Sequence, residues 1–212
     1  MANVTFNNTN SPTTVAASSL SHAYSVTAGQ SNLCAFAVLL FAGTTPSITS
    51  VTYGGAAMTS CGAAFTQSGA VFYLQAFYLP NPLTGSNTLA VTGSAGVVEI
   101  YANVVSCYNV NQTTPVRPAT YTTGSTATGS ITNSIPSATT DITIGVAGDT
   151  AGSLSTNQTI DGGTGVTANS DHCTTPASTI TDTWSGGTGG NLTAIGFSVQ
   201  PFVPPPIFMI AR

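Results

Sequence analysis

The spacing of apolar residues constrains this chain more than any other feature of its sequence. Apolar and polar side chains alternate in short runs with period two, and no run shows a helical stripe. Turn residues such as Gly54-Gly55 and Asn81-Pro82 separate the runs. The pattern predicts an all-β fold, either a sandwich or a barrel. The clearest strand runs are 33–41, 48–54, 71–79, 87–93, 97–108, 141–149, 178–184 and 193–200.

The runs differ in how many of their faces are apolar. In 141–149 three apolar side chains share one face, and Asp141, Thr143 and Gly145 occupy the other. We therefore expect this strand, like 193–200, to be buried on one side only. The run 33–41 is apolar on both faces, and the run 71–79 is nearly so. Either a loop of the same chain or a neighbouring subunit must cover their second face.

The run 97–108 carries the only glutamate of the chain, Glu99. Alternation places Val98 and Ile100 on the apolar face and Glu99 on the other. Because a single carboxylate cannot form an acid–base pair, we interpret Glu99 as a solvent-facing or interface residue. Residues 111–138 are poor in large apolar groups, which predicts either a long excursion between strands or an extended edge.

Charge is scarce in this chain of 212 residues. Charged residues make up 4%, lysine is absent, and the only cations are Arg117 and Arg212. Nothing could neutralise a row of phosphates or bind a membrane surface through basic residues, so we expect neither nucleic acid nor membrane as a partner. The net charge of −4 gives weak protection against self-association.

The segment Asp171-His172-Cys173 places an acid, an imidazole and a thiol side by side. Adjacent side chains point apart in an extended chain, so the three are poorly placed to form a catalytic unit. No nucleophile elbow, phosphate loop or metal motif occurs. We therefore expect no enzyme, and no catalytic, cofactor-binding or metal-binding residues. The cysteines are far apart, and we favour free thiols while a disulfide stays open: Cys34, Cys61, Cys107 and Cys173.

Two aromatic residues are weak candidates for stacking on a sugar. They are Trp184, the only tryptophan, and Tyr53. The alternative is that both fill the core, which is the commoner position of such rings.

The C-terminal stretch FVPPPIFMIAR is apolar and stiffened by prolines. It is too short to cross a bilayer as a helix, which takes about 20 residues. We predict an arm, 201–212, that docks on a neighbouring subunit, with folding back onto its own sandwich as the alternative. A second arm is predicted at 1–20, and the domain between them at 21–200. The predicted docking residues are Phe202, Val203, Pro204, Pro205, Pro206, Ile207, Phe208, Met209 and Ile210.

Several stretches between residues 20 and 200 resemble a known module. They include SVTYGG, NPLTGSNT and NVNQTTP, together with the strand runs DITIGVAGD and AIGFSVQ. This succession resembles a β-sandwich module of bacteriophage virion proteins and bacterial surface proteins. The resemblance implies an antiparallel two-sheet, jelly-roll-like sandwich with a binding or structural role. Its motifs are structural, and none brings catalytic residues with it.

Composition, arms and resemblance together lead to a functional expectation. We expect a structural protein of a tailed phage virion, above all a capsid decoration or cement protein that binds the major capsid protein or another virion protein. A homo-oligomer is expected, a trimer being one option. The first residues lack a secretory signal, so synthesis in the host cytoplasm is expected. The alternatives are a tail-fibre or head-fibre receptor-binding protein, and an extracellular carbohydrate-binding or adhesive module with a host glycan as ligand.

Overall fold

A computed structural model describes residues 2–66, 72–118, 120–126, 129–150, 152, 154–162, 168–173, 175, 177–187 and 191–204. These residues contain strands and connecting loops and no helix. The first ten strands are β1 (Thr5–Thr9), β2 (Thr13–Val15), β3 (Ser19–Val26), β4 (Cys34–Gly43), β5 (Ile48–Tyr53), β6 (Ala56–Ala57), β7 (Thr59–Ser60), β8 (Phe72–Pro80), β9 (Gly85–Gly93) and β10 (Val97–Tyr108). The other eight are β11 (Thr122–Thr126), β12 (Ser130–Pro136), β13 (Ile142–Asp149), β14 (Ser155–Thr156), β15 (Thr159–Ile160), β16 (Ala168–His172), β17 (Thr179–Ser185) and β18 (Leu192–Val199).

The strands form four antiparallel sheets. Sheet I has the order β1-β10-β4-β8-β7, with β2 also paired to β10, and sheet II has the order β3-β9-β5-β6. Sheet III has the order β11-β18-β13-β16-β15, and sheet IV has the order β12-β17-β14. The all-β, antiparallel sandwich predicted from the sequence is confirmed, but the number of sheets is four instead of two.

Sheets I and II together have the strand order of a jelly roll. If β1 and β2 count as the first strand and β6 and β7 as the fifth, sheet I holds the first, eighth, third and sixth strands in that order. Sheet II holds the second, seventh, fourth and fifth strands. This alternation between two sheets is the double Greek key that defines a jelly roll. We call β1 to β10 the first jelly roll.

Sheets III and IV repeat the same order. With β11 as the first strand and β18 as the eighth, sheet III again holds the first, eighth, third and sixth strands. Its edge strand β15 lies beside β16 as β7 lies beside β8. Sheet IV holds the second, seventh and fourth strands. The chain is therefore a tandem of two jelly rolls with one topology, and we call β11 to β18 the second jelly roll.

The two jelly rolls share an apolar layer between sheets I and III. On β4, Phe36 and Val38 face this layer, where Phe36 packs near Phe197 of β18. The intervening residues of β4, such as Leu39, face sheet II instead. A third, smaller cluster around Trp184 lies between sheets III and IV. The layers therefore stack in the order II, I, III, IV.

This stacking explains the strand runs that are apolar on both faces. Strands β4 and β8 lie in sheet I, between sheets II and III, so the cover for their second face comes from the same chain. The expectation that 141–149 and 193–200 are buried on one side only is wrong. Every residue of β13 and β18 is buried, because sheet IV covers the polar face of sheet III.

The alternation predicted for 97–108 fails at its start. Val98 is 61% exposed, whereas Val97 and Ile100 are buried. The pairing of β10 with β4 shifts register between Val97 and Glu99. This bulge inserts one residue into the strand and turns Val98 outward.

The two segments without a clear sequence pattern are part of the sheets. Residues 1–20, predicted as an arm, hold β1 and β2, and both strands pair with β10 of the same chain. Residues 111–138 hold β11 and β12, each at the edge of its sheet. Of the two alternatives for 111–138, the extended edge is therefore the one observed.

Candidate functional site

Trp184 and Tyr53 both lie in the core, each with 0% exposure. The indole Nε1–H of Trp184 donates to Asp182 Oδ2 over 3.0 Å, and the Tyr53 hydroxyl donates to the Tyr24 carbonyl over 3.0 Å. Neither ring presents a face to solvent. The interpretation of these residues as sugar-stacking platforms is therefore corrected: they are core residues whose polar atoms are hydrogen-bonded internally.

The segment Asp171-His172-Cys173 is the end of β16 and the residue after it. Because side chains alternate along a strand, its first two residues enter different interfaces. Asp171 faces sheet IV, where it accepts a hydrogen bond from Thr156. His172 faces the first jelly roll, where it stacks on Phe6. The three side chains therefore do not form an acid–imidazole–thiol unit.

The interface between sheets III and IV holds two carboxyl groups in contact. Asp171 and Asp182 are each 1% exposed and hydrogen-bond to each other, which requires a proton on one of them. Thr156 Oγ1 donates to Asp171 Oδ2 over 2.5 Å, and Trp184 donates to Asp182. Gly145 on β13 makes room for the pair, since a Cβ there would overlap an oxygen of each carboxyl group.

Burial controls the protonation of this pair. Loss of solvation, followed by repulsion from Asp182, raises the pKa of Asp171 well above its usual value. Burial raises the pKa of Asp182 to about 6, against the hydrogen bonds it accepts from Trp184, Asp171 and Thr156. The pair therefore holds a shared proton at mildly acidic pH. Two such carboxyl groups could act as acid and base only if a substrate reached them, and here they are sealed between two sheets.

A second polar cluster lies between the two jelly rolls. His172 Nδ1 is 2.6 Å from Asp161 Oδ1, and the Phe6 ring stacks on the imidazole with centroids 3.9 Å apart. Asn103 of β10 donates to the Asp161 carbonyl and to Ser170 Oγ. Burial raises the pKa of Asp161, and the hydrogen bond from His172 opposes that rise. This cluster ties strands of sheets I and III together through hydrogen bonds.

The four cysteines are free thiols, as favoured from the sequence. Cys34 and Cys107 are cross-strand partners on β4 and β10, and both are buried. Burial raises the pKa of each of these thiols and also that of Cys173. Thiols held in the neutral form are poor nucleophiles and poor metal ligands.

The C-terminal arm is described only as far as Pro204. The Phe202 N–H donates to the Asn109 carbonyl over 2.7 Å, so the chain is still fixed to the body at this residue. Val203 is 53% exposed and Pro204 is exposed. The remaining predicted docking residues, Pro205 to Ile210, lie outside the described residues.

The charged side chains lie mostly inside the protein. All five aspartates are buried, and Arg117 forms a two-point ion pair with Asp141, with Arg117 Nε 2.5 Å from Asp141 Oδ2. Glu99 is half-buried, and Arg212 lies outside the described residues. The described surface is therefore formed almost entirely by uncharged residues.

Sequence reasoning missed Asp182 and Asp161, the partners of the two residues it singled out. The signal for Asp182 was present, because Ile180, Asp182 and Trp184 share one face of a period-two strand. For Asp161 there was no comparable signal, since it follows a strand of only two residues. Among the described residues there is no group of three or more metal-ligating side chains. The described residues also include no helix with the length and apolarity to cross a membrane.

Comparison with known proteins adds little. No protein-family model matches the chain, and no curated protein matches it significantly. Among solved structures, the dimeric latent PorU of Porphyromonas gingivalis is similar over 91% of this chain at 11% identity, with a TM-score of 0.31. This chain spans 20% of the PorU chain. Similarity at that level carries no argument about fold or function.

Proposed function

We propose that this protein is a structural component of a bacteriophage virion, with a capsid decoration or cement protein as its specific role. The observation that carries the proposal is the location of the charges. Five aspartates are buried and Arg117 is paired with one of them, so the described surface presents mainly Thr, Ser, Asn, Gly and Ala. Surface charge keeps soluble proteins apart, and a surface without it favours close packing against other subunits.

The interior supports a role in assembly. The five aspartates and His172 are buried, and Asp171, Asp161 and His172 form hydrogen bonds that join one layer of the fold to the next. The sequence resemblance to virion and surface modules adds an analogy, and jelly rolls occur in viral capsid and lectin domains. The charge distribution itself is a property of this chain.

The arm supplies the contact that we propose with the neighbouring virion protein. Val203 and Pro204 are exposed at the point where the chain leaves the body of the protein. The sequence continues with Ile207, Phe208, Met209 and Ile210. Burying such side chains contributes roughly 1.5–3 kcal/mol each, and the prolines reduce the entropy lost on docking. Many arms in a symmetric array would add to one another through effective concentration.

The first test is the number of copies per purified phage particle, measured by quantitative mass spectrometry against the major capsid protein. A decoration or cement protein should be present in numbers on the order of hundreds, following the symmetry of the shell. A few copies to a few dozen would overturn the capsid role and favour a fibre with receptor binding. Absence from particles would sink the virion proposal, and the adhesive surface module would replace it.

A second test addresses the arm. A chain truncated after Pro204 should lose binding to particles from which the protein has been stripped, while the full chain rebinds. The matched control replaces residues 205–212 with a Gly/Ser segment of equal length. Equal rebinding by truncated and full chains would show that the arm is not the contact.

A further inference from the structure

The outer edge of sheet II is strand β3, and most of its outward backbone groups have no partner among the described residues. Strand β3 pairs with β9 on one side only, and it is eight residues long. The other edge of this sheet, β6, has two residues. Natural proteins protect long edge strands with charges, prolines or bulges, because unpaired N–H and C=O groups accept a strand from another chain. Strand β3 has none of these devices, and its pairing with β9 runs without a bulge.

The backbone groups that face outward on β3 can be assigned. The N–H of Ser25 donates to Asn10 Oδ1 over 2.8 Å and not to β9, while its carbonyl accepts from the side chains of Asn8 and Asn10. Ser25 therefore points its backbone away from β9. Because these groups alternate along a strand, Ser19, Ser21 and Ala23 point outward as well. They form no hydrogen bond to another described residue outside the β3–β9 ladder.

We infer that β3 pairs antiparallel with β3 of a second copy of this chain, across a twofold axis at Ser21. The free outward positions are centred on that residue, so Ser21 would face Ser21 of the second copy and Ser19 would face Ala23. Each of these pairs would exchange two hydrogen bonds, as in any antiparallel ladder. The asparagine caps at Ser25 limit the pairing to residues 19–23.

The side chains of sheet II are compatible with pairing of β3 to a second copy of the chain. The strands β3, β9, β5 and β6 contain no Asp, Glu, Lys or Arg, so two copies bring no like charges together. Ser19, Ser21 and Ala23 are small and exposed, and they fit opposite one another without a clash. The result is one sheet that continues from one jelly roll into its copy, with the same patch used on both sides.

This inference does not depend on the proposed function, because strand pairing can be measured on the purified protein alone. Sedimentation equilibrium over a range of concentrations should show a monomer–dimer equilibrium. Ser21→Pro removes an outward N–H without breaking the ladder to β9, and it should weaken the dimer about tenfold or more. The second variant, Ser21→Lys, places a charge at the twofold axis and should have the same effect.

The matched control is Thr88→Lys. Thr88 is exposed on the neighbouring strand β9, opposite Ala23, so the variant adds the same charge to the same sheet away from the edge. It should dimerise like the unaltered chain, and melting temperatures should confirm that all variants fold. Concentration-dependent protection of the Ser19, Ser21 and Ala23 amides against hydrogen exchange should accompany dimerisation. A monomer at every concentration, or an oligomer unaffected by both Ser21 variants, would overturn the inference.

Discussion

The two jelly rolls share one topology and differ in the chemistry of their interiors. Of the six carboxylates in the chain, only Glu99 belongs to the first jelly roll, and it is half-buried. The second holds five aspartates, all buried. Between sheets I and II the core is apolar, whereas between sheets III and IV a small apolar cluster adjoins a carboxyl pair. The same strand order can therefore be stabilised mainly by hydrophobic burial or partly by buried hydrogen bonds.

The difference has a physical consequence for stability. Apolar burial changes little with pH, whereas buried carboxyl groups change their contribution whenever they gain or lose a proton. A buried polar network is also costly when it is only partly satisfied. We therefore expect the second jelly roll to respond to pH and to single polar substitutions, and the first to respond mainly to lost volume.

The largest expected effect comes from Trp184→Ala. Trp184 is fully buried and fills the cluster between sheets III and IV. Its loss should lower the free energy of unfolding by about 3–5 kcal/mol. Trp184→Phe keeps a ring but removes the donor to Asp182, and should cost about 1–3 kcal/mol. Denaturant titration followed by circular dichroism measures both values.

The matched change in the first jelly roll is Leu89→Ala on β9, the strand equivalent to β17. It should cost about 2–5 kcal/mol through lost volume alone. Hydrogen exchange should show that Trp184→Ala reduces the protection of backbone amides in sheets III and IV. Leu89→Ala should reduce it in sheets I and II. If both variants loosen all four sheets equally, the jelly rolls unfold as one unit and the contrast in stability does not hold.

The second prediction concerns the ion pair of the second jelly roll. Asp141 is 0% exposed and is held by Arg117 at two points and by the Ser198 hydroxyl at 2.7 Å. Arg117→Ala leaves this buried carboxylate without its cation and should cost about 3 kcal/mol. Arg117→Lys keeps the charge but loses the two-point geometry, and should cost about 1 kcal/mol.

Chemical denaturation of these variants and of Ser198→Ala tests whether the charge of Arg117 stabilises the fold beyond a single hydrogen bond. Ser198→Ala removes one hydrogen bond to the Asp141 carboxylate and should cost about 1.5 kcal/mol. If Arg117→Ala costs no more than Ser198→Ala, then the charge of Arg117 contributes nothing beyond a hydrogen bond. The second jelly roll would then depend on buried charge less than its structure indicates.

The same contrast explains how far the sequence predicts the fold. All eight predicted strand runs are strands, because large apolar residues recur in them with period two. Strands β3, β12 and β16 were missed. In β3 and β12 a polar residue, His22 or Asn133, interrupts the alternating apolar residues, and β16 reads ANSDH although it is buried throughout. The polar face of 141–149 was assigned to solvent, yet it is buried against sheet IV. A polar residue that finds a partner in a distant strand looks the same in sequence as one that faces water.

The smallest predicted effect is the most specific to the carboxyl pair. Burial raises the pKa of Asp182 to about 6 and also raises that of Asp171, so the folded chain keeps a proton that the unfolded chain releases above about pH 4. The stability that this proton supports is present at low pH and is lost as pH rises through about 6. The free energy of unfolding should fall by about 2 kcal/mol between pH 4.5 and pH 8.

Asp171→Asn tests the cause of that slope. An amide at this position donates to Asp182 without a shared proton, so the dependence on pH should become flatter, while Glu99→Gln in the first jelly roll should keep the original slope. Asp161, whose pKa is also raised by burial, lies in the other interface, and its contribution should remain in both variants. Hydrogen exchange at pH 8 should show the loss of protection in β14, β16 and β17 of the unaltered chain. An unchanged slope in Asp171→Asn would place the pH dependence elsewhere, and the carboxyl pair would then be a packing feature of sheets III and IV without a role in their response to pH.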